Sequence, residues 1–206
     1  MQLDVEEHPS LDFGALQAEL PQLVGDSVSP DWLMALLSAD VPAPLQRNEQ
    51  ARTAVRDMLR HGGFKPTGRS KPASEYLVKA VSEGRLGSIN LPVDLGNVVS
   101  FHSGVPISVV DVDRTEGALR VGIAPADSRF VFNQAGQEID VSGLLCLQDA
   151  QGPCANAVKD SMRTKTTPET RRVLCVVWGV QGIEPDTAAI VSWYRELLER
   201  AGAQVT

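Results

Sequence analysis

Between residues 106 and 180 the chain carries five short runs rich in Val and Ile, "PISVVDVD", "ALRVGIA", "SRFVFN", "GLLCLQD" and "RRVLCVVWGV", separated by Gly, Pro and acidic turns. β-Branched side chains in runs of that length fit a pleated, half-buried surface, so each run predicts a strand. Helical patterns stand before this block and once after it. Helices first, strands in the middle and a helix last predict an α+β fold and exclude a repeating βαβ array with its doubly wound parallel sheet.

Short helical patterns occupy residues 11–20 and, after Ser29 and Pro30, residues 31–38. The Pro-rich "DVPAPLQ" then reads as a linker. Residues 1–45 are therefore expected as an N-terminal helical extension packed as a cap, and residues 46–206 as the main domain. "RNEQARTAVRDMLRHGG" sets Ala51, Val55, Met58 and Leu59 on one helical face and closes at Gly62 and Gly63. A further helix runs from Pro72 to near Gly84, and another from Asp94 to Ser103, stopped by Gly104 and Pro106. The last follows an Asp186 cap and ends at Gly202, where it closes the sheet.

Of the 206 residues 43% are hydrophobic but only 5% aromatic, so the core must rest on Val, Leu, Ala and Ile. No run of about 18 apolar residues is present, and "MQLDVEEHPS" lacks the basic start and apolar middle of a signal peptide. The expected location is the cytoplasm, with no membrane partner. Cys146, Cys154 and Cys175 are odd in number and form no CxxC pair, which argues against a disulfide framework and a zinc site. His8, His61 and His102 stand in unrelated contexts, so no metal is expected. P-loop, GxGxxG, HExxH and GxSxG motifs are all missing, which removes nucleotide hydrolysis, dinucleotide binding and two large hydrolase classes.

A net charge of −7 speaks against DNA as a partner, but the charge is unevenly placed. Residues 1–50 hold nine acids against one base, whereas residues 51–85 hold eight bases against three acids. A second basic cluster, Lys159, Arg163, Lys165, Arg171 and Arg172, lies in "KDSMRTKTTPETRR". Two readings stand: a solvated face balanced by the acidic segment, or a shared surface for an anionic partner that puts Arg60, Lys71, Lys159 and Arg163 on one rim of a cleft.

"KPASEYL", "SINLPVDLGNVVSFHSGVPISVVDVDR" and "RTKTTPETRRVLCVVWG", within residues 71–179, resemble the B3/B4 domain, the tRNA-editing module of the bacterial phenylalanyl-tRNA synthetase beta chain, and more closely its free-standing relatives. The shared marks are Asn90, the Val93-Asp94 pair, Asn97, the Gly104-x-Pro106 turn, the Asp111 and Asp113 pair, and the Thr-rich run before the last strand. The resemblance implies an α+β domain whose cleft receives the 3′ end of an aminoacyl-tRNA and hydrolyses a wrong ester without a metal or organic cofactor. The class II signature motifs are missing, so the chain is not a complete tRNA ligase. Ser108 stands where the synthetase-borne domain has His, and Met162 where it has a Glu that reads a tyrosine hydroxyl, so tyrosine specificity is not implied.

Ester cleavage calls for a positioned water and a donor for the developing oxyanion more than for a strong nucleophile. On that chemistry Asp160, Arg163 and Thr164 are the expected catalytic residues, and Asn90, Ser108, Asn156, Lys159 and Lys71 the expected substrate contacts. The same basic loop also serves as a solvated lead-in to a core strand, and a module that binds an amino acid or a tRNA end without cleaving it stays open. Asp94 is expected to cap the helix that follows it, Asn97 to satisfy a neighbouring loop, and His102 to serve the far end of that helix.

Overall fold

A computed structural model describes residues 2–38 and 40–206. In chain order the first half holds β1 (Leu3–Val5), β2 (Leu11–Glu19), α1 (Asp31–Ala35), α2 (Glu49–Arg60), α3 (Ala73–Ser82) and α4 (Leu91–Ser103). The second half holds β3 (Ile107–Asp111), β4 (Leu119–Ile123), β5 (Arg129–Val131), β6 (Glu138–Asp140), β7 (Leu145–Asp149), β8 (Gly152–Asn156), β9 (Arg172–Val180), α5 (Thr187–Arg200) and β10 (Gln204–Val205). The α+β expectation is met. No helix among the described residues is long and apolar enough to cross a membrane.

One sheet has the order β10-β2-β9-β3, with all its pairs antiparallel. Strand β9 is its spine: Val173 through Val180 are all buried, with β2 on one side and β3 on the other. A strand covered on both faces reads as a continuous apolar run, and "VLCVVWGV" is one. A second sheet runs β1-β4-β7-β8, and β5 with β6 forms a separate hairpin. Helix α5 packs on β2 and β9, and α4 packs on α5 and β3. Cys146, Cys154 and Cys175 lie in β7, β8 and β9, all three free and buried. Burial pushes the Cys154 and Cys175 thiols up to about 12.

The segment expected as a helix over residues 11–20 is strand β2. Its residues are good helix formers, but Gly14, Leu16 and Ala18 alternate as buried positions, and nine backbone pairs to β9 outweigh local propensity. Gly14 lets α5 approach: a Cβ there would stand 2.6 Å from Val191 Cγ2. The helix expected over residues 31–38 forms from Asp31 to Ala35. Strands β1, β6, β8 and β10 went unread in the sequence, because each is very short or, in β8, carries Gly, Pro and Ala in place of β-branched residues.

Helix α4 begins three residues before the expected start. Its cap is Asn90, whose Oδ1 accepts from Val93 N at 3.2 Å, not Asp94. Asp94 lies inside the first turn, fully buried, and accepts from Ser29 Oγ (2.6 Å), Ser88 Oγ (2.5 Å) and Ile89 N (2.9 Å). Three donors stabilise a carboxylate that burial alone would not tolerate, and they tie the loops before α1 and α4 together.

Gly179 in β9 faces the start of α5, where an added Cβ would collide with Thr187 Oγ1 and stand 2.5 Å from the backbone oxygen of Asp12. Backbone cannot swing aside, so Gly179→Ala is expected to cost about 1–3 kcal/mol, a fall in Tm of roughly 2–10 °C by thermal denaturation. Gly87→Ala, with nothing within 4 Å of the added carbon, serves as the near-neutral control. Equal Tm values for the two would show that α5 does not seat on β9 as described.

Candidate functional site

The loop after β8 is shaped by Asn156. Its Oδ1 accepts from Val158 N (2.8 Å) and Lys159 N (2.9 Å), an Asx turn that reverses the chain within three residues. The reversal returns Asp160 to the strand it has just left: Asp160 Oδ1 accepts from Ser108 Oγ on β3 at 2.7 Å and from Asn156 N at 3.3 Å. Trp178 Nε1 on β9 donates to Ser108 Oγ at 3.0 Å. A hydroxyl has one proton, and with Asp160 at 2.7 Å against Asn156 O at 3.2 Å, it goes to the carboxylate. Ser108, Asn156 and Asp160, expected separately, thus meet in one chain of hydrogen bonds. The Asn156 Nδ2 group is buried without a hydrogen-bond partner among the described residues.

Asp160 keeps a partly exposed surface although protein surrounds its carboxyl. Burial pushes that carboxyl up to about 6, while the bonds from Ser108 and Asn156 and the charge of Lys165 act in the opposite direction. Two lysines flank it. Burial holds both Lys159 and Lys165 below the usual ammonium range, with Arg69 adding to the effect on Lys159. Lys165 Nζ donates to Phe132 O at 2.6 Å. A raised carboxyl beside lowered amines is a pattern that general acid-base chemistry uses.

Lys159 opens onto a cleft of about 810 Å³. One wall carries Arg69 and Tyr76, from the α2–α3 loop and α3, and the other carries Phe132 and Ile139, at the β5–β6 hairpin. The Lys159 ammonium stands 4.4 Å from the Phe132 ring centroid and 5.8 Å from that of Tyr76. An aromatic pair with basic groups at its edge can stack a planar base and meet an anionic group beside it. Glu138 and Asp140 supply negative charge to the same lining.

The remaining expected residues are placed differently. Arg163 donates from Nη1 and Nη2 to Asp149 Oδ2 (2.6 Å) and Oδ1 (2.8 Å), and the Asp149 side chain is wholly buried. Burial works against that carboxylate, yet Arg163 and the amides of Glu116 and Gln151 hold it below the usual range. Thr164 Oγ1 donates to Cys154 O at 3.2 Å, inside the core. Asn90 Nδ2 donates to Thr166 Oγ1 at 3.0 Å, tying the α4 cap to the Thr-rich loop. Lys71 is half-buried two residues before Ala73, whose N donates to Ala157 O at 2.8 Å, so the start of α3 lies against the Asn156 turn. Of Arg60, Lys71, Lys159 and Arg163, expected on one rim, only Lys159 lines the cleft, and Arg60 instead pairs with Asp57 along α2.

His102 is a packed residue. Its Nε2 donates to Leu36 O at 2.7 Å, and its ring meets Phe101 and Trp193 edge-on. Burial lowers its affinity for a proton, with the Leu36 bond opposing and Arg47 assisting. Sequence reasoning missed Arg69, Tyr76, Phe132 and Lys165 as members of one site. The available signal was Phe132 in "SRFVFN", an aromatic at the end of a strand beside a turn.

The family profile described as B3/4 domain matches residues 64–189. Among solved structures, the chain is similar to an N-terminal fragment of the phenylalanyl-tRNA synthetase beta-subunit from Pyrococcus horikoshii, with a TM-score of 0.50 and 11% identity. The alignment covers 99% of this chain and 50% of that one, so the chain spans half the length of the structure it matches. At that identity the likeness concerns the fold. No curated protein matches the sequence.

The position of Asp160 gives a pH signature. Its folded-state value of about 6 lies above the ordinary 3.8, so between the two the folded protein holds the proton that the unfolded chain has released. The contribution to stability is therefore full below pH 3.8 and is lost as pH rises through about 6. Urea midpoints should fall less from about pH 4 to pH 7 in Asp160→Asn than in the parent protein. Parallel profiles for the two would place Asp160 in an ordinary solvated setting.

Proposed function

The chain belongs to the B3/4 domain family, and from that membership we propose that it is an editing-type hydrolase, cutting the ester of a mischarged aminoacyl-tRNA in the cytoplasm. The observation that carries this reading is the Asp160 carboxyl, held by Ser108 and Asn156 with a value near 6, one residue from Lys159 at the mouth of the 810 Å³ cleft. A base of that strength is ionised at neutral pH yet still takes a proton readily. In this scheme Asp160, which stands behind the residues that line the cleft, takes the proton of a water admitted beside Lys159 and returns it to the leaving ribose oxygen. The Lys159 ammonium, partly desolvated, meets the negative charge that develops on the ester oxygen or on the neighbouring phosphate. Tyr76 and Phe132 provide the surface against which the terminal base stacks. Ser108 and Asn156 fix the base, Arg163 and Thr164 anchor the loop through Asp149 and Cys154, and Asn90 ties the α4 cap to the Thr-rich loop. An aminoacyl ester is already activated, so this scheme uses no metal or organic cofactor.

One observation favours a second reading, a module that binds an amino acid or a tRNA end without cleaving it. Ser108 is only 1% exposed and sits at a position central to the network, so its hydroxyl supports Asp160 and does not itself reach a substrate.

Purified protein is expected to release the amino acid from at least one member of a panel of mischarged tRNAs, with a rate that rises through about pH 6. Asp160→Asn should slow release by roughly 10²-fold or more, while His102→Asn leaves it near the parent rate. Binding of the tRNA should weaken as salt rises, because phosphate contacts release counterions. Intact esters across the panel, together with saturable binding of a free amino acid, would establish the second reading.

A further inference from the structure

On the opposite side of α3 from Tyr76 lies a groove of about 440 Å³ between α2 and α3, and none of the residues expected in catalysis lines it. Ser74 and Val78 stand four positions apart, so they share one helical face, and both point at this groove. Ser74 is 3% exposed and its hydroxyl bonds to no other described residue. Among the described residues the sealed atoms without partners are His8 Nε2, Asn156 Nδ2 and the Tyr194 hydroxyl. Ser74 Oγ is not one of them, because it opens on the groove. The residue is largely enclosed but its hydroxyl is open to the groove, so it is free to donate to a ligand there.

The charges around it settle what kind. Arg47, Arg52 and Lys79 line the groove against Glu49 and Glu75, three cations to two carboxylates. Glu75 is already matched from behind by Arg56 through two bonds of 2.5 and 2.6 Å, Arg52 by Glu49 at 3.1 Å, and Lys79 more loosely by the exposed Glu83 at 3.9 Å, which leaves Arg47 as the lining cation without a carboxylate among the described residues. Arg47 is fixed in place, with its Nη1 on Phe101 O at 3.3 Å and its guanidinium 4.3 Å from the centre of the Phe101 ring. Helix α2 starts at the same spot and adds the positive end of its dipole. The lining thus carries one positive charge in excess, one free hydroxyl and one aliphatic side chain.

We propose that this groove is a second binding site, for a small monoanion with a short aliphatic body, a carboxylate held between the Arg47 and Lys79 side with Ser74 donating to it and Val78 against its chain. The site is independent of the cleft at Lys159, since α3 separates them.

The test is a titration of isotope-labelled full-length protein with butyrate, and separately with inorganic phosphate and with chloride, followed by amide NMR shifts. Butyrate is expected to move amides of Ser74, Val78 and Arg52 along saturating curves with Kd on the order of 1 mM. Ser74→Ala should weaken it by about 3- to 10-fold, and Lys79→Gln by a similar factor, both variants keeping the parent spectrum elsewhere. Shifts that stay linear to about 50 mM, saturation unchanged in both variants, or an equal response to chloride would overturn the site. Tighter binding of phosphate than of butyrate would overturn its assignment to a monoanion.

Discussion

Nine register pairs between β2 and β9 fix the position of everything else that matters in this molecule. A ladder that long leaves no freedom of register, because a slip by one residue would turn Gly14, Leu16 and Ala18 away from α5 and present Ala15 and Gln17 in their place. With β9 set, Trp178 is set, and its indole N–H holds Ser108 on the adjacent β3. Ser108 in turn holds Asp160. The Asp160 carboxyl is therefore positioned by the core sheet through Trp178 and Ser108 in series, although it sits in a loop. Loops that carry chemistry need such a scaffold, because their own backbone bonds do not specify a single geometry.

Charge is distributed by burial as much as by sequence. Most ion pairs lie at the surface, where a pair such as Arg52 with Glu49 or Arg60 with Asp57 contributes little. Two are enclosed and bidentate. Arg56 with Glu75 joins α2 to α3, and Arg163 with Asp149 joins the Asn156 loop to the end of β7. In those, removal of either partner leaves a charge in a poorly solvated place, so they act as locks on the loops between elements. The consequence is a division of labour: Arg163 is spent on Asp149, Lys165 is the cation whose charge acts on Asp160, and Lys159 turns to the Phe132 ring.

The parts legible in the sequence were those with a local cause. Asp186 caps α5 as expected, and Gly104 ends α4 in the left-handed conformation that glycine favours, whereas the cap of α4 is Asn90 and not the expected Asp94. The strand in "RRVLCVVWGV" announced itself by composition. Strand β2 did not, because "LDFGALQAEL" has the local signature of a helix and is overruled by a partner more than 150 residues away. The site was half legible. Asn156, Lys159 and Asp160 lie within one short motif, and Ser108 came from a resemblance between families. Arg69, Tyr76 and Phe132 come from separate elements and share the cleft only after α3 and the β5–β6 hairpin have docked. Arg163 was legible as a cation but not as one already committed, since Asp149 lies fourteen residues before it at the end of β7.

The three free thiols of the core have a consequence of their own. Cys146, Cys154 and Cys175 are distributed over three strands in two sheets, none is exposed, and burial keeps them protonated. A thiol in that state neither attacks nor is attacked, so oxidants and alkylating reagents pass the folded protein by. Modification of any one of them requires its strand to leave the sheet, and its rate then measures how often that strand does so. The chain carries three built-in clocks, one on the spine of the first sheet and two on neighbouring strands of the second, which time the separate opening of the two layers without any label being added.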